Sequence, residues 1–111
     1  MGKKHKINKN RDYNRIYSKG RSKACFELVT YVLKNRMKAT RMGITTSKKI
    51  GNAVNRNRAR RIIREAYRQI KDNVKIGYDI IFVARKKTCE IKMNVVKEKM
   101  KYHLEKLGII E

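Results

Sequence analysis

The chain has no proline, no tryptophan, only two phenylalanines, two cysteines and nine acidic residues among its 111. Each shortage removes a class of protein. With no tryptophan and so little phenylalanine, it lacks the apolar face that a membrane-surface helix presses among lipid headgroups. No run of about 18 apolar residues exists, so no membrane span is expected. The N-terminal MGKKHKINKN has no apolar stretch of the kind a secretory signal needs. These absences set the expectation of a cytoplasmic protein without a membrane partner. Cys25 and Cys89 stand 64 positions apart, with no CxxC and no histidine at ligand spacing. They predict two reduced, buried thiols rather than a zinc site. The phosphate-loop pattern GxxxxGK[ST] is also missing, so nothing supports a nucleotide or other small-molecule cofactor.

What the chain has in excess is positive charge: 31 Lys and Arg against 9 Asp and Glu, a formal balance of +22. Charges in that number repel one another in a compact state and are tolerated where the chain works against a polyanion. Nucleic acid is the expected partner. Length and a hydrophobic fraction of 41% suit one domain with one modest core. Residues 1–9 are basic and without periodicity, which predicts a flexible or loosely docked arm ahead of a single RNA-binding domain over 10–111.

Tyr13, Ile16 and Tyr17 fall at i, i+3, i+4, which predicts a short helix over 10–19 stopped by Gly20. Residues 22–33 (SKACFELVTYVL) read as one strand, and Met37–Thr46 as a second strand paired with it in an antiparallel hairpin. Gly43 inside that second strand signals a bulge or a close approach. Ala59, Ile62, Ile63, Ala66, Tyr67 and Ile70 then mark a long helix, with Asn52 or Asn55 to cap it. YDIIFVA, 78–84, is a continuous apolar run bounded by Asp79 at one end and Arg85-Lys86-Lys87 at the other, as a central strand covered on both faces would be. A last helix carries Ile91, Val95, Val96, Met100, Leu104 and Leu107 on its apolar stripe. The expected fold is therefore α+β: a single-domain sandwich with helices packed on a mixed sheet, in the order α-β-β-α-β-α, with room for one more short strand.

The charge is concentrated rather than spread. Between Leu28 and Arg64 no carboxylate occurs in 37 residues, while eleven Lys or Arg do. On the central helix Asn57, Arg60, Arg61, Arg64 and Arg68 lie opposite the apolar stripe, and Arg56 and Arg58 flank it. Guanidinium is a rigid fork that grips phosphate through two hydrogen bonds, so this face predicts defined backbone contacts; a merely solvated basic face is the plainer reading. Lys48 and Lys49 lead into the same helix, where backbone N–H groups and the helix dipole add to an anion site. Tyr13, Tyr17, Tyr31 and Phe26 interleave with these cations, as aromatics do where unpaired bases stack; core packing is the competing use. Autonomous catalysis is poorly supported. His5 sits in the arm, His103 reads as solvent-facing on the last helix, and Asp72 with Asp79 offers too few oxygens for a hard cation.

The run TSKKIGNAVNRNRARRIIREAYR, 46–68, with Arg56-Asn57-Arg58 at its core, closely resembles the signature of the protein subunit of bacterial ribonuclease P. KNRDYNRIYSKG, 9–20, is similar to that family's first helix, and GYDIIFVARKK, 77–87, to its last strand. The resemblance spans nearly the whole chain. It implies a fold like the second domain of ribosomal protein S5, with a left-handed βαβ crossover. It also implies a basic subunit that joins a catalytic ribonuclease P RNA and assists endonucleolytic removal of the 5′ leader from precursor tRNA. In such a holoenzyme the catalytic centre lies in the RNA, which also holds most of the Mg2+, and the protein supplies no catalytic residue. Carried over by position, Lys48, Lys49, Arg56, Asn57, Arg58, Arg60, Arg61, Arg64 and Arg68 match the surface for the catalytic RNA. Tyr13, Tyr17 and Tyr31 match the path of the leader, with tyrosine at Tyr13 and Tyr17 where relatives often carry phenylalanine. A ribosomal or other structural RNA-binding protein without a catalytic role is the alternative that size, charge and fold class would equally fit.

Overall fold

A computed structural model describes residues 6–110; residues 1–5, with His5, and Glu111 lie outside the described part. The elements are α1 (Asn10–Lys19), β1 (Arg21–Ala24), β2 (Leu28–Lys34), β3 (Arg41–Thr45), α2 (Ala53–Ile70), β4 (Tyr78–Ala84) and α3 (Met93–Lys106). The four strands form one sheet in the order β1-β2-β4-β3. β2 runs antiparallel to both β1 and β4, and β3 runs parallel to β4, to which α2 connects it. The result is the mixed α+β sheet expected, with the extra short strand as β1.

β4 lies between β2 and β3, and over 80–84 it is apolar on both faces. Ile80 and Phe82 point into a core shared with α2 and α3, through Ala59, Ile63, Ala66, Val96, Met100 and Leu104. Ile81 points the other way, against Ile16 of α1 and Ile7. Helices thus cover both sides, α2 and α3 on one and α1 on the other. α2 begins where Asn52 accepts a hydrogen bond from the Asn55 backbone N–H at 3.0 Å, so Asn52 is the cap.

Several sequence expectations need correction. Residues 22–33 are not one strand: the chain turns at Cys25–Glu27, closed by a hydrogen bond from Cys25 N–H to Leu28 O at 2.9 Å, and β1 and β2 form the hairpin instead. β2 and β3 do not pair, because β4, whose Ile80, Ile81 and Phe82 are fully buried, inserts between them. His103 does not face water; it is 1% exposed, and its Nδ1 lies 2.8 Å from Thr30 Oγ1. Seven residues beyond Val96 and three beyond Met100, it falls on the buried stripe of α3, whereas Val95, assigned to that stripe, is exposed. Burial, with Lys23 and Lys99 nearby, pushes the His103 pKa down. The two cysteines are free thiols, but they are half-buried at the margin of the main core rather than buried within it.

Candidate nucleic-acid interface

The basic face of α2 is assembled from its first turn. Ser47 accepts from Lys49 N–H at 3.3 Å and caps a short turn over Lys48–Ile50, whose Ile50 plugs into the core while Lys48 and Lys49 stay exposed. Gly51 has φ +127°, a conformation that L side chains rarely adopt. Arg56 Nη1 donates to Gly51 O at 3.0 Å and ties this loop back onto the helix. Arg60 is held twice, donating to Asn57 Oδ1 and to Thr46 Oγ1, each at 2.8 Å. Asn57 therefore orients an arginine, a role its place in the motif did not reveal. Arg58, Arg61 and Arg64 are exposed and make no ion pair among the described residues. Arg68 differs: its guanidinium forks onto Glu65, at 3.0 Å through Nε and 2.5 Å through Nη2. Hydrogen bonds from Arg68 and Gln69 lower the Glu65 pKa to about 2. Arg68 is thus the compensated end of an otherwise uncompensated face.

The three tyrosines come together on the opposite side of the sheet. Tyr17 and Tyr31 meet edge to face, ring centroids 4.9 Å apart, and Tyr13 lies 6.3 Å from Tyr17. Tyr17, 36% exposed, shares a 2.7 Å hydrogen bond with Thr45 Oγ1, and Tyr13 donates to Ile7 O at 3.2 Å. Burial, and then the neighbouring Tyr17, raises the Tyr13 pKa. Gly43 is the close approach its position suggested: a Cβ there would overlap the Tyr13 hydroxyl. Tyr13 also lines one cleft with Arg60, Arg64 and Lys6. Through adjacent Thr45 and Thr46, bonded to Tyr17 and Arg60 respectively, the aromatic trio and the arginine face adjoin.

α1 is clamped to the sheet by charge. Asp79 is fully buried and accepts from Arg41 Nε and Nη2 at 2.9 and 2.7 Å, from Arg15 at 3.2 Å and from Asn35 at 2.9 Å. Burial alone would push its carboxyl up; the hydrogen bonds from Arg41 and Asn35 and the charges of Arg41 and Arg15 outweigh it and hold the pKa below the ordinary value. Asp79 is thereby committed to these donors, and the thought of a metal shared with Asp72 falls away. Among the described residues no three His, Cys, Asp or Glu side chains gather as a metal-binding group.

Phe26 and Lys49, both singled out from the sequence, border a groove on the sheet face beyond α1 that the sequence did not reveal. Val29 and Val83 form its floor, with Phe26, 71% exposed, at one side and Lys49, Arg85 and Lys86 around it. The signal was present as three cations immediately after the central strand, but they read only as its end.

Comparison with known proteins agrees with this architecture. A family model described as Ribonuclease P matches residues 1–108. The ribonuclease P protein component of Clostridium botulinum is 38% identical over 108 residues, covering 96% of this chain and 97% of the relative. That of Clostridioides difficile is 49% identical over 80 residues, or 71% and 70% of the two chains. The solved Staphylococcus aureus RNase P protein superposes with a TM-score of 0.85 at 34% identity, covering 96% of this chain and 98% of its own. The Thermotoga maritima protein gives 0.78 at 32%, with 87% and 92% covered. With sequence likeness over nearly its full length and the same fold, this chain belongs to the ribonuclease P protein family.

Proposed function

We propose that the chain is the RNA-binding subunit of a cytoplasmic ribonuclease P holoenzyme whose catalytic centre resides in an RNA. The observation that supports this most is the junction of two chemically different surfaces: guanidinium forks on α2, and a tyrosine cluster reached across Thr45 and Thr46. The exposed Arg58, Arg61 and Arg64, with Lys48 and Lys49 before them, face backbone phosphates of the catalytic RNA. Arg60 is pre-oriented by Asn57 and Thr46, so little rotamer freedom is lost when it binds. Arg56 chiefly fixes the Lys48–Gly51 loop, and Arg68 contributes least because Glu65 already holds it.

Tyr13, Tyr17 and Tyr31 receive the single-stranded 5′ leader of precursor tRNA. Stacking tolerates any base, so one cleft serves leaders of many sequences. Mature tRNA lacks the leader, so contacts in this cleft favour substrate over product. Mg2+, held mainly by the RNA, supplies activation of the attacking water.

The test is Tyr17→Ala in the assembled holoenzyme. Binding of precursor tRNA weakens by about 1–3 kcal/mol, the range for loss of one stacked base, while mature tRNA binds as before. Equal losses on both would remove the leader from this cleft.

A further inference from the structure

A second basic cleft lies at the other end of α1 from Tyr17. Lys9 and Arg11 at the start of α1, Lys34 at the end of β2 and Arg36 in the β2–β3 loop line it together. Arg15 and Arg41 complete the lining, but both are occupied by Asp79 and Asp12 beneath and beside it. The side chains of the first four make no hydrogen bond or ion pair among the described residues. Six cations against Asp12 and Asp79 leave a local balance of +4.

The rim is held by a rigid frame. Asn35 accepts from Met37 N–H at 2.9 Å and donates to Ala39 O at 3.2 Å and to Asp79 at 2.9 Å, which fixes the turn that presents Arg36. Asn35 N–H donates to Gly77 O at 2.8 Å, and Thr40 Oγ1 to Lys75 O at 2.6 Å, so both ends of the loop are pinned to the stretch before β4. Free cations on a fixed frame suit a chain of phosphates better than a single ion.

The cleft also connects to α2. Lys6 bridges Met42 on the open edge of β3, Ile7 N–H donates to Met42 O at 3.2 Å, and Lys6 lines the cleft that holds Arg60 and Arg64. Cations therefore follow the β3 edge from Arg64 and Arg60 through Lys6 to Lys9, Arg11 and Arg36. We propose that this cleft is a second binding site for the phosphate backbone of the catalytic RNA, continuous with the α2 face; the partner's identity rests on the function proposed above.

The experiment measures association of the full-length chain with ribonuclease P RNA across a salt series. Three variants are compared: Arg11→Ala/Lys34→Ala/Arg36→Ala; Arg60→Ala/Arg64→Ala; and, as a charge-matched control away from the cleft, Lys71→Ala/Lys99→Ala/Lys101→Ala. The cleft variant is expected to bind about tenfold more weakly and to lower the salt slope by about two units, with the control far less affected. Unchanged affinity and slope in the cleft variant, or an equal loss in the control, overturns the second site. A loss seen with precursor tRNA but not with ribonuclease P RNA overturns it too. The α2 reading is judged separately, by the Arg60/Arg64 variant alone. Should the triple variant lose its circular-dichroism signature, the single reversal Arg36→Glu at an exposed loop position carries the same expectation in weaker form.

Discussion

Asp79→Asn removes the buried charge that fastens α1, β3 and β4 together while keeping nearly the same volume. Arg41 then loses its two-pronged carboxylate at 2.9 and 2.7 Å and keeps only Asp12 at 3.6 Å, with its own side chain 16% exposed. Breaking a buried pair by neutralising one partner costs about 3–5 kcal/mol, because the other charge stays desolvated. Arg15 is 45% exposed, so water replaces its bond at little cost. A loss of about 3 kcal/mol is expected, a large share of the 5–15 kcal/mol that stabilises a typical domain. Urea titration followed by circular dichroism reads it as a lowered midpoint at unchanged slope. Acid titration gives an independent reading. The Asp79 pKa is lower folded than unfolded, so its contribution is fully present above the ordinary carboxylate range and is lost as pH falls through the folded value. The variant should lose part of that acid limb. A midpoint within about 0.5 kcal/mol of the parent, or an identical acid limb, would refute the reasoning, since surface substitutions rarely do more.

Gly43→Ala places a methyl group where the Tyr13 hydroxyl sits, so it should cost about 1–3 kcal/mol by overpacking and weaken leader-dependent binding as the ring is displaced. Denaturation together with precursor and mature tRNA binding checks both effects; full retention of both would mean Tyr13 moves freely. His103 has a lowered pKa in the folded chain, so the unfolded chain takes up its proton first as pH falls. Its share of stability is therefore present above about pH 6.5 and declines as pH drops through the depressed folded value. His103→Gln should flatten the stability profile over that window, and an unchanged profile would show that another group titrates there.

Elements governed by burial were legible from the sequence. The stripe from Ala59 to Ile70 and the apolar run over 80–84 in β4 each have one low-energy use, and both formed as expected. Pairing was not legible, because it depends on which strands compete for the centre. Nothing local to 22–46 reveals that residues 78–84 will come between β2 and β3. His103 was misplaced for a related reason: a polar label hid a residue whose helical spacing is that of the core, and its partner Thr30 lies 73 positions away. Within the candidate site, residue types and spacing identified the arginines of α2, and the sheet gathered Tyr13, Tyr17 and Tyr31. What each arginine does beyond carrying charge needed the third dimension. Arg60 is braced by Thr46, Arg56 holds its loop, and Arg68 is neutralised by Glu65. The Asp79 cluster joins residues from four separate segments, and no local pattern records it.

The most direct test of the central claim mixes the purified chain with ribonuclease P RNA at low magnesium and follows cleavage of precursor tRNA, with each component also assayed alone. Efficient release of the 5′ leader by the mixture only, with a benefit that erodes as the leader is shortened, is the predicted result. Cleavage by the chain alone, or no gain from adding it to the RNA, would contradict the account.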